Sequence, residues 1–111
     1  MMINDRRGGA DRRTTNRYPV DLAIEWETTG RRFTGSMSDV SFEGCFVLGS
    51  GDVADGDDVR LFVPIGEGIK AEFTGKIANH VYEIGFGVKF DDLSDPQREV
   101  IVDIVRQKEA G

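Results

Sequence analysis

The sequence holds one cysteine, one histidine and three prolines in 111 residues. A single thiol, Cys45, excludes an internal disulfide and any metal site built on paired cysteines. Beside Phe46 and Val47 it reads as a small buried apolar residue, and its isolation suits a reducing cytoplasm. His80 lies in an alternating segment with no serine or cysteine nucleophile motif beside it, so it is read as structural and no catalytic function is expected. No apolar run approaches the roughly 18 residues of a membrane span. The N-terminus, MMINDRRGGADRR, places charge and glycine where a signal peptide needs an apolar stretch. The expectation is a cytoplasmic protein without membrane insertion.

Positive charge is outweighed by negative, 14 Lys and Arg against 20 Asp and Glu. The net charge of −6 argues against a general nucleic-acid binder. Its distribution is uneven, however. Residues 1–20 carry Arg6, Arg7, Arg12, Arg13 and Arg17 against Asp5 and Asp11, a net +3, which leaves −9 for the rest. A guanidinium cluster on an acidic body suits a compact anionic ligand better than a long polyanion.

What the chain has in quantity is glycine, 14 residues, which points to many turns and to β structure. Its length allows one domain with an ordinary core, well above the lower limit of about 40 residues. Residues 1–18 show no apolar periodicity beyond Ile3, and Gly8-Gly9 loosens them; they are read as a flexible Arg-rich arm. From residue 19 the period becomes two. Val20, Leu22, Ile24 and Trp26 share one parity, and Phe33 and Met37 share a face of the next segment, Arg32–Val40. A short strand at Cys45–Leu48 follows. Val59, Leu61, Val63 and Ile65 alternate with Arg60, Phe62 and Pro64; Ile69, Ala71, Phe73 and Ile77 with Lys70, Glu72, Thr74 and Lys76; and Tyr82, Ile84, Phe86, Val88 and Phe90 with Glu83, Gly85, Gly87 and Lys89. Short strands separated by Gly-rich turns predict a barrel or sandwich.

The last segment changes period. Ser94 is placed as an N-cap with Gln97 at the capping-box position, Pro96 is tolerated in the first turn, and Val100, Ile101, Ile104 and Val105 form one apolar stripe. A helix over about 94–108 is expected to cover the sheet, with Glu99, Asp103, Arg106 and Lys108 toward solvent.

Gly49–Asp58 is dense in aspartate, but Asp52, Asp55, Asp57 and Asp58 lack the alternate spacing, the sixth-position glycine and the twelfth-position glutamate of a calcium loop. It is read as a solvated loop, and no metal or cofactor is expected. Gly85 and Gly87 fall within a strand, so they imply no phosphate cradle.

Two short patterns remain. Arg13-Thr14-Thr15-Asn16-Arg17 is an R-x-x-x-R pair at the junction of arm and first strand. Asp39-Val40-Ser41-Phe42-Glu43-Gly44 is a D-x-S-x-x-G turn between strands. Each alone is weak: the first arises by chance in Arg-rich segments, and the second suits any polar turn. In this order, with 21 residues between Arg17 and Asp39, the pair resembles the signature of the PilZ domain family. All five signature positions are filled. The resemblance runs on through the strand pattern, the Ile84–Phe90 segment and the terminal helix.

That resemblance implies an all-β fold: a six-stranded antiparallel barrel over residues 19–111, with one C-terminal helix and the arm of residues 1–18 in front. It implies a receptor for the bacterial second messenger cyclic di-GMP. Arg13 and Arg17 would take the phosphates and guanine faces, Asp39 and Ser41 a guanine edge and nearby polar atoms, and Gly44 would shape the turn. In similar proteins an arginine at the position of Arg12 accompanies binding of a stacked ligand pair, so Arg12 joins the candidates; Arg6 and Arg7 are read as solvated. The chemistry agrees. Guanidinium can both fork onto phosphate and stack on a ring, and a carboxylate accepts the two adjacent N–H donors of guanine that adenine lacks. The mechanism expected is closure of the arm over the nucleotide, offering a new surface to an unidentified effector protein. The alternatives are a PilZ-like adaptor that has lost nucleotide binding, and an OB-like barrel for single strands. The latter is disfavoured because the aromatics fall on the apolar parity and the body is acidic.

Overall fold

The computed structural model describes residues 17–51 and 53–110. Arg12, Arg13 and the rest of the expected arm before Arg17, together with Asp52, lie outside the described residues.

Six strands, β1 (Tyr18–Thr28), β2 (Arg31–Val40), β3 (Gly44–Leu48), β4 (Asp58–Gly66), β5 (Ile69–Val81) and β6 (Gly85–Phe90), precede one helix, α1 (Asp95–Ala110). All pairings are antiparallel, and the sheet closes as a barrel in the order β1-β2-β3-β6-β5-β4. The expected six-stranded barrel with its C-terminal helix is therefore present. Two hairpins have the tight primed-turn chemistry, with two successive positive φ values: Thr29-Gly30 (50° and 77°) and Glu67-Gly68 (53° and 79°).

The alternating apolar residues fill the barrel. Trp26 is fully buried, its ring stacked on Phe33 at 4.3 Å and met edge-on by Phe86 at 4.8 Å. Around it pack Ile24, Met37, Val47, Leu61, Phe73 and Val88. Emptying such a site to alanine costs about 3–5 kcal/mol. The helix begins as read: Ser94 N–H donates to Gln97 Oε1 at 2.8 Å, and Gln97 N–H donates to Ser94 Oγ at 3.2 Å. Gln97 Nε2 also donates to the Glu72 carbonyl, tying α1 to β5, while Ile101 and Ile104 bury against the barrel.

Parity fails at the strand ends. Ile65, Ile69, Tyr82 and Ile84 were expected with the apolar face, yet all are exposed, Tyr82 by 78%. The β4–β5 hairpin runs past its partner, because β1 pairs with β4 only through Glu25–Glu27 against Phe62–Arg60. Its tip therefore has no strand paired along its β1 side. Tyr82 and Ile84 stand in the β5–β6 turn, outside the ladder, where the Ile84 N–H donates to the Val81 carbonyl.

The short β1–β4 seam carries an ion-pair network on its outer side. Arg60 pairs with Glu27 across the seam and with Glu72 at 3.4 Å. Arg32 reaches Glu25 and Glu27, and Lys70 reaches Glu25. Where the strands separate, a hollow of about 600 Å³ opens between Val20–Leu22 and Pro64–Gly66, flanked by Val100 and Ile104 of α1.

The aspartate-rich loop is more engaged than a merely solvated segment. Asp55 Oδ1 accepts from the His80 N–H at 3.0 Å, Asp57 Oδ2 accepts from the Ala54 N–H, and Asp58 pairs with Lys76. Among the described residues no group of acidic, cysteine or histidine side chains is placed to hold a metal ion.

Candidate ligand-binding site

The site is built by two irregularities in the sheet. In β2, Met37 pairs with Val47 and Asp39 with Phe46, so Ser38 falls outside the ladder register with β3, although its hydroxyl donates to the Phe46 carbonyl at 3.4 Å. In β1, Pro19 opposes Asp39 and Leu22 opposes Met37, so two β1 residues face one on β2. Asp21, the second of these, takes a φ of 51°. Bulges of this kind bend strands and re-aim side chains. Their effect shows in burial: Met37 and Val40 are both inside at 1% exposure, and Ser38 and Asp39 between them are both only part-buried. Strict alternation from Phe33 through Met37 would have turned Asp39 into the core.

Instead Asp39 meets Arg17, whose Nη2 lies 3.1 Å from Asp39 Oδ1. That oxygen is buried and, among the described residues, has no aligned hydrogen-bond donor. The pair is thus ionic contact without directed bonding, and it leaves a desolvated acceptor short of its proper partner. The two sequence motifs, through Arg17 and Asp39, are brought together on one side of the barrel; Arg13 and Arg12 lie outside the described residues.

Ser41 and Gly44 hold the turn itself. The Ser41 N–H donates to the Gly44 carbonyl at 2.8 Å. The Ser41 hydroxyl, 2% exposed, accepts from the Glu43 and Gly44 N–H groups at 3.1 and 3.2 Å and donates to the Gly44 carbonyl at 3.3 Å. One donor and two acceptor positions exhaust what a hydroxyl offers. Ser41 here closes the turn and has no free valence directed outward. Gly44 is needed for space and not for a positive φ: a Cβ there would stand 2.0 Å from the Val88 carbonyl oxygen on β6. Cys45, next in line, is fully buried. Burial pushes its thiol well above the ordinary range, with the Asp39 charge adding to the effect and Arg17 opposing it. It is held as an inert thiol.

Beside the turn is an open hollow of about 580 Å³ that Arg17 helps line. Its floor is Gly44, Ala78 and Gly87, small residues on three neighbouring strands. Its charged wall comprises Lys89, Arg98, Glu43, Asp91 and Asp92. A second hollow, about 640 Å³, lies on the far side of the turn between Tyr18, Phe42 and the apolar face of α1, and the two share Phe42, Glu43 and Arg98. Sequence reasoning singled out Arg17 and the turn but not Lys89 and Arg98, which line the same hollow. On a strand's polar parity or a helix's first turns, a cation looks like any solvated charge.

The fold defines a class, the closed six-stranded antiparallel barrel with a C-terminal helix and a polar β2–β3 turn. A model of the PilZ domain matches residues 11–107, and the chain belongs to the PilZ domain family. Among solved structures it is similar to the PilZ domain of CeSA from a cellulose-synthesizing bacterium, with a TM-score of 0.66 and 17% identity over 85% of this chain and 98% of that one. It is similar to PlzA of Borreliella burgdorferi in complex with c-di-GMP, with a TM-score of 0.67 and 18% identity over 85% of this chain and 41% of PlzA. It is also similar to the Bacillus subtilis inhibitor of motility MotI/DgrA, with a TM-score of 0.63 and 14% identity over 89% of this chain and 52% of that protein. No curated protein matches the sequence.

Proposed function

We propose that this protein is a receptor for cyclic di-GMP. The observation that carries the reading is the 3.1 Å approach of Arg17 to a buried Asp39 oxygen that, among the described residues, lacks a hydrogen-bond donor, beside a hollow with a glycine-rich floor. Membership of the PilZ family and the c-di-GMP complex of the similar PlzA support the choice of ligand.

The chemistry is an exchange of partners. In the free protein the Arg17 guanidinium neutralises Asp39. Guanine brings two adjacent N–H donors, which satisfy the carboxylate with the directed bonds it lacks. Arg17 is then released to a phosphate or to the face of the purine, both of which a guanidinium serves. Ser41 and Gly44 act by fixing the turn that presents Asp39. Arg13, and Arg12 before it, would join from the N-terminal segment as it closes over the nucleotide, and the closed face would be offered to an effector protein in the cytoplasm. No catalytic step is involved.

Titration calorimetry with cyclic di-GMP at about 100 μM tests this, since that concentration reveals any complex tighter than roughly −5.5 kcal/mol. Saturable heat with a defined stoichiometry is expected. Silence would favour a nucleotide-free adaptor working through protein contacts alone.

A further inference from the structure

The cations on the barrel wall are unevenly employed. Arg32, Arg60, Lys70 and Lys76 each hold a carboxylate. Lys89 does not; among the described residues it has no ion pair. Its position makes this costly. On β6 it lies opposite Gly44 on one side and opposite Lys76 on the other, and both lysines face outward. Like charges directly across a ladder are unfavourable, and no carboxylate partner offsets the pairing at Lys89.

Arg98 stands across the same hollow. It reaches from the early part of α1, its guanidinium carbon 5.5 Å from the centre of the Phe42 ring, and among the described residues it too has no ion pair. Phe42 belongs to the signature turn, so a residue between Ser41 and Gly44 holds this guanidinium in place. Arg17, Lys89 and Arg98 thus enter one hollow from the start of β1, from β6 and from α1.

We propose that Lys89 and Arg98 form a second anion contact, one that holds a phosphate of the bound cyclic dinucleotide which the signature arginines do not reach. This rests on the receptor reading above. A cyclic dinucleotide carries two phosphates, and the two clusters would take one each. The carboxylates of Glu43, Asp91 and Asp92, which share the hollow, balance its net charge. They make it a poor site for a general polyanion and supply acceptors for the N–H groups of a guanine. The arrangement accordingly selects a ligand with compact anions and donor-rich bases together. Phe42 gives Arg98 a fixed orientation by cation–π contact, which lowers the entropy lost when it closes on an anion.

Calorimetry on the full chain with cyclic di-GMP, applied to Lys89→Gln, Lys89→Arg and Arg98→Gln, decides the matter. Each loss of charge should weaken binding by about ten- to a hundredfold, the scale of a charge-assisted bond. Lys89→Arg should keep most of the affinity, and the ligand-free melting temperatures should not fall appreciably, since both side chains are exposed and Lys89→Gln relieves the repulsion from Lys76. If the wild-type protein binds and both glutamine variants bind equally well, the second contact is wrong while the receptor reading stands. If the wild-type protein does not bind, both fall together.

Discussion

Asp39 stands opposite Pro19 in the β1–β2 ladder, and Arg17, two residues before that proline, turns its guanidinium back to within 3.1 Å of the Asp39 carboxylate. Residues 22 positions apart in sequence are thereby brought together, with a bulge in each ladder that Asp39 joins. The contact is half-exposed on the Arg17 side, at 50%, so it is open to exchange with a ligand.

Arg17→Ala should therefore weaken cyclic di-GMP binding by roughly ten- to a hundredfold, the equivalent of about 1.5–3 kcal/mol. Arg17→Lys should recover part of this, because ammonium keeps the charge but loses the planar fork. Calorimetric dissociation constants for the three proteins check the order. Equal affinities would remove Arg17 from the site.

Asp39→Ala should distinguish nucleotides. Its loss leaves the guanine donors unpaired, so cyclic di-GMP binding should fall far more than any weak binding of cyclic di-AMP. Competition titrations with both nucleotides measure the ratio. Parallel losses would show that the carboxylate does not read the base.

Gly44→Ala should act on the fold before it acts on the ligand. Its Cβ would meet the Val88 carbonyl oxygen at 2.0 Å, and backbone on a paired strand cannot step aside without shifting the β3–β6 ladder. A destabilisation of about 1–3 kcal/mol is expected, as for overpacked interiors. Urea unfolding followed by Trp26 fluorescence reports it, and an unchanged midpoint would mean that the ladder tolerates the methyl group.

Acid should loosen the outer network. The Lys70 ammonium, through its hydrogen bond, holds the Glu25 carboxyl below its usual range, and the Arg60 guanidinium does the same to Glu27. A carboxyl depressed in the folded state contributes stability that is fully present above its unfolded pKa, about 4.3. The contribution is lost as pH falls through the lower folded value. Thermal unfolding between about pH 6 and pH 3 should show a steeper acid decline for wild type than for a Glu25→Gln, Glu27→Gln double variant. Identical slopes would show that these pairs are inert. High salt should shrink the difference, since the groups are exposed.

The barrel and helix were legible because their signals are local and periodic. Val20, Ile24 and Trp26 share a face in the structure as in the sequence, and the Ser94–Gln97 capping box marked the helix start. The bulges were not legible. Nothing in the letters around Ser38 announces a break in register; only the pairing and the burial of both Met37 and Val40 reveal it. The exposed Ile65 and Ile69 misled the parity argument because exposure there depends on how far β1 accompanies β4, a matter of register rather than composition. Arg17 and Asp39 were singled out through their pattern, and the fold brings them into contact. Lys89 and Arg98 became visible only once β6 and α1 were seen to border the same hollow.

The closure of the sheet through just Glu25–Glu27 against Phe62–Arg60 sets where the molecule breathes. Few main-chain bonds hold that junction, whereas β4 and β5 zip together along nearly their whole length. Those amide protons of Glu25–Glu27 and Arg60–Phe62 that bond across this junction should accordingly trade with deuterated solvent ahead of those between β4 and β5, through partial openings that leave the remaining five ladders intact.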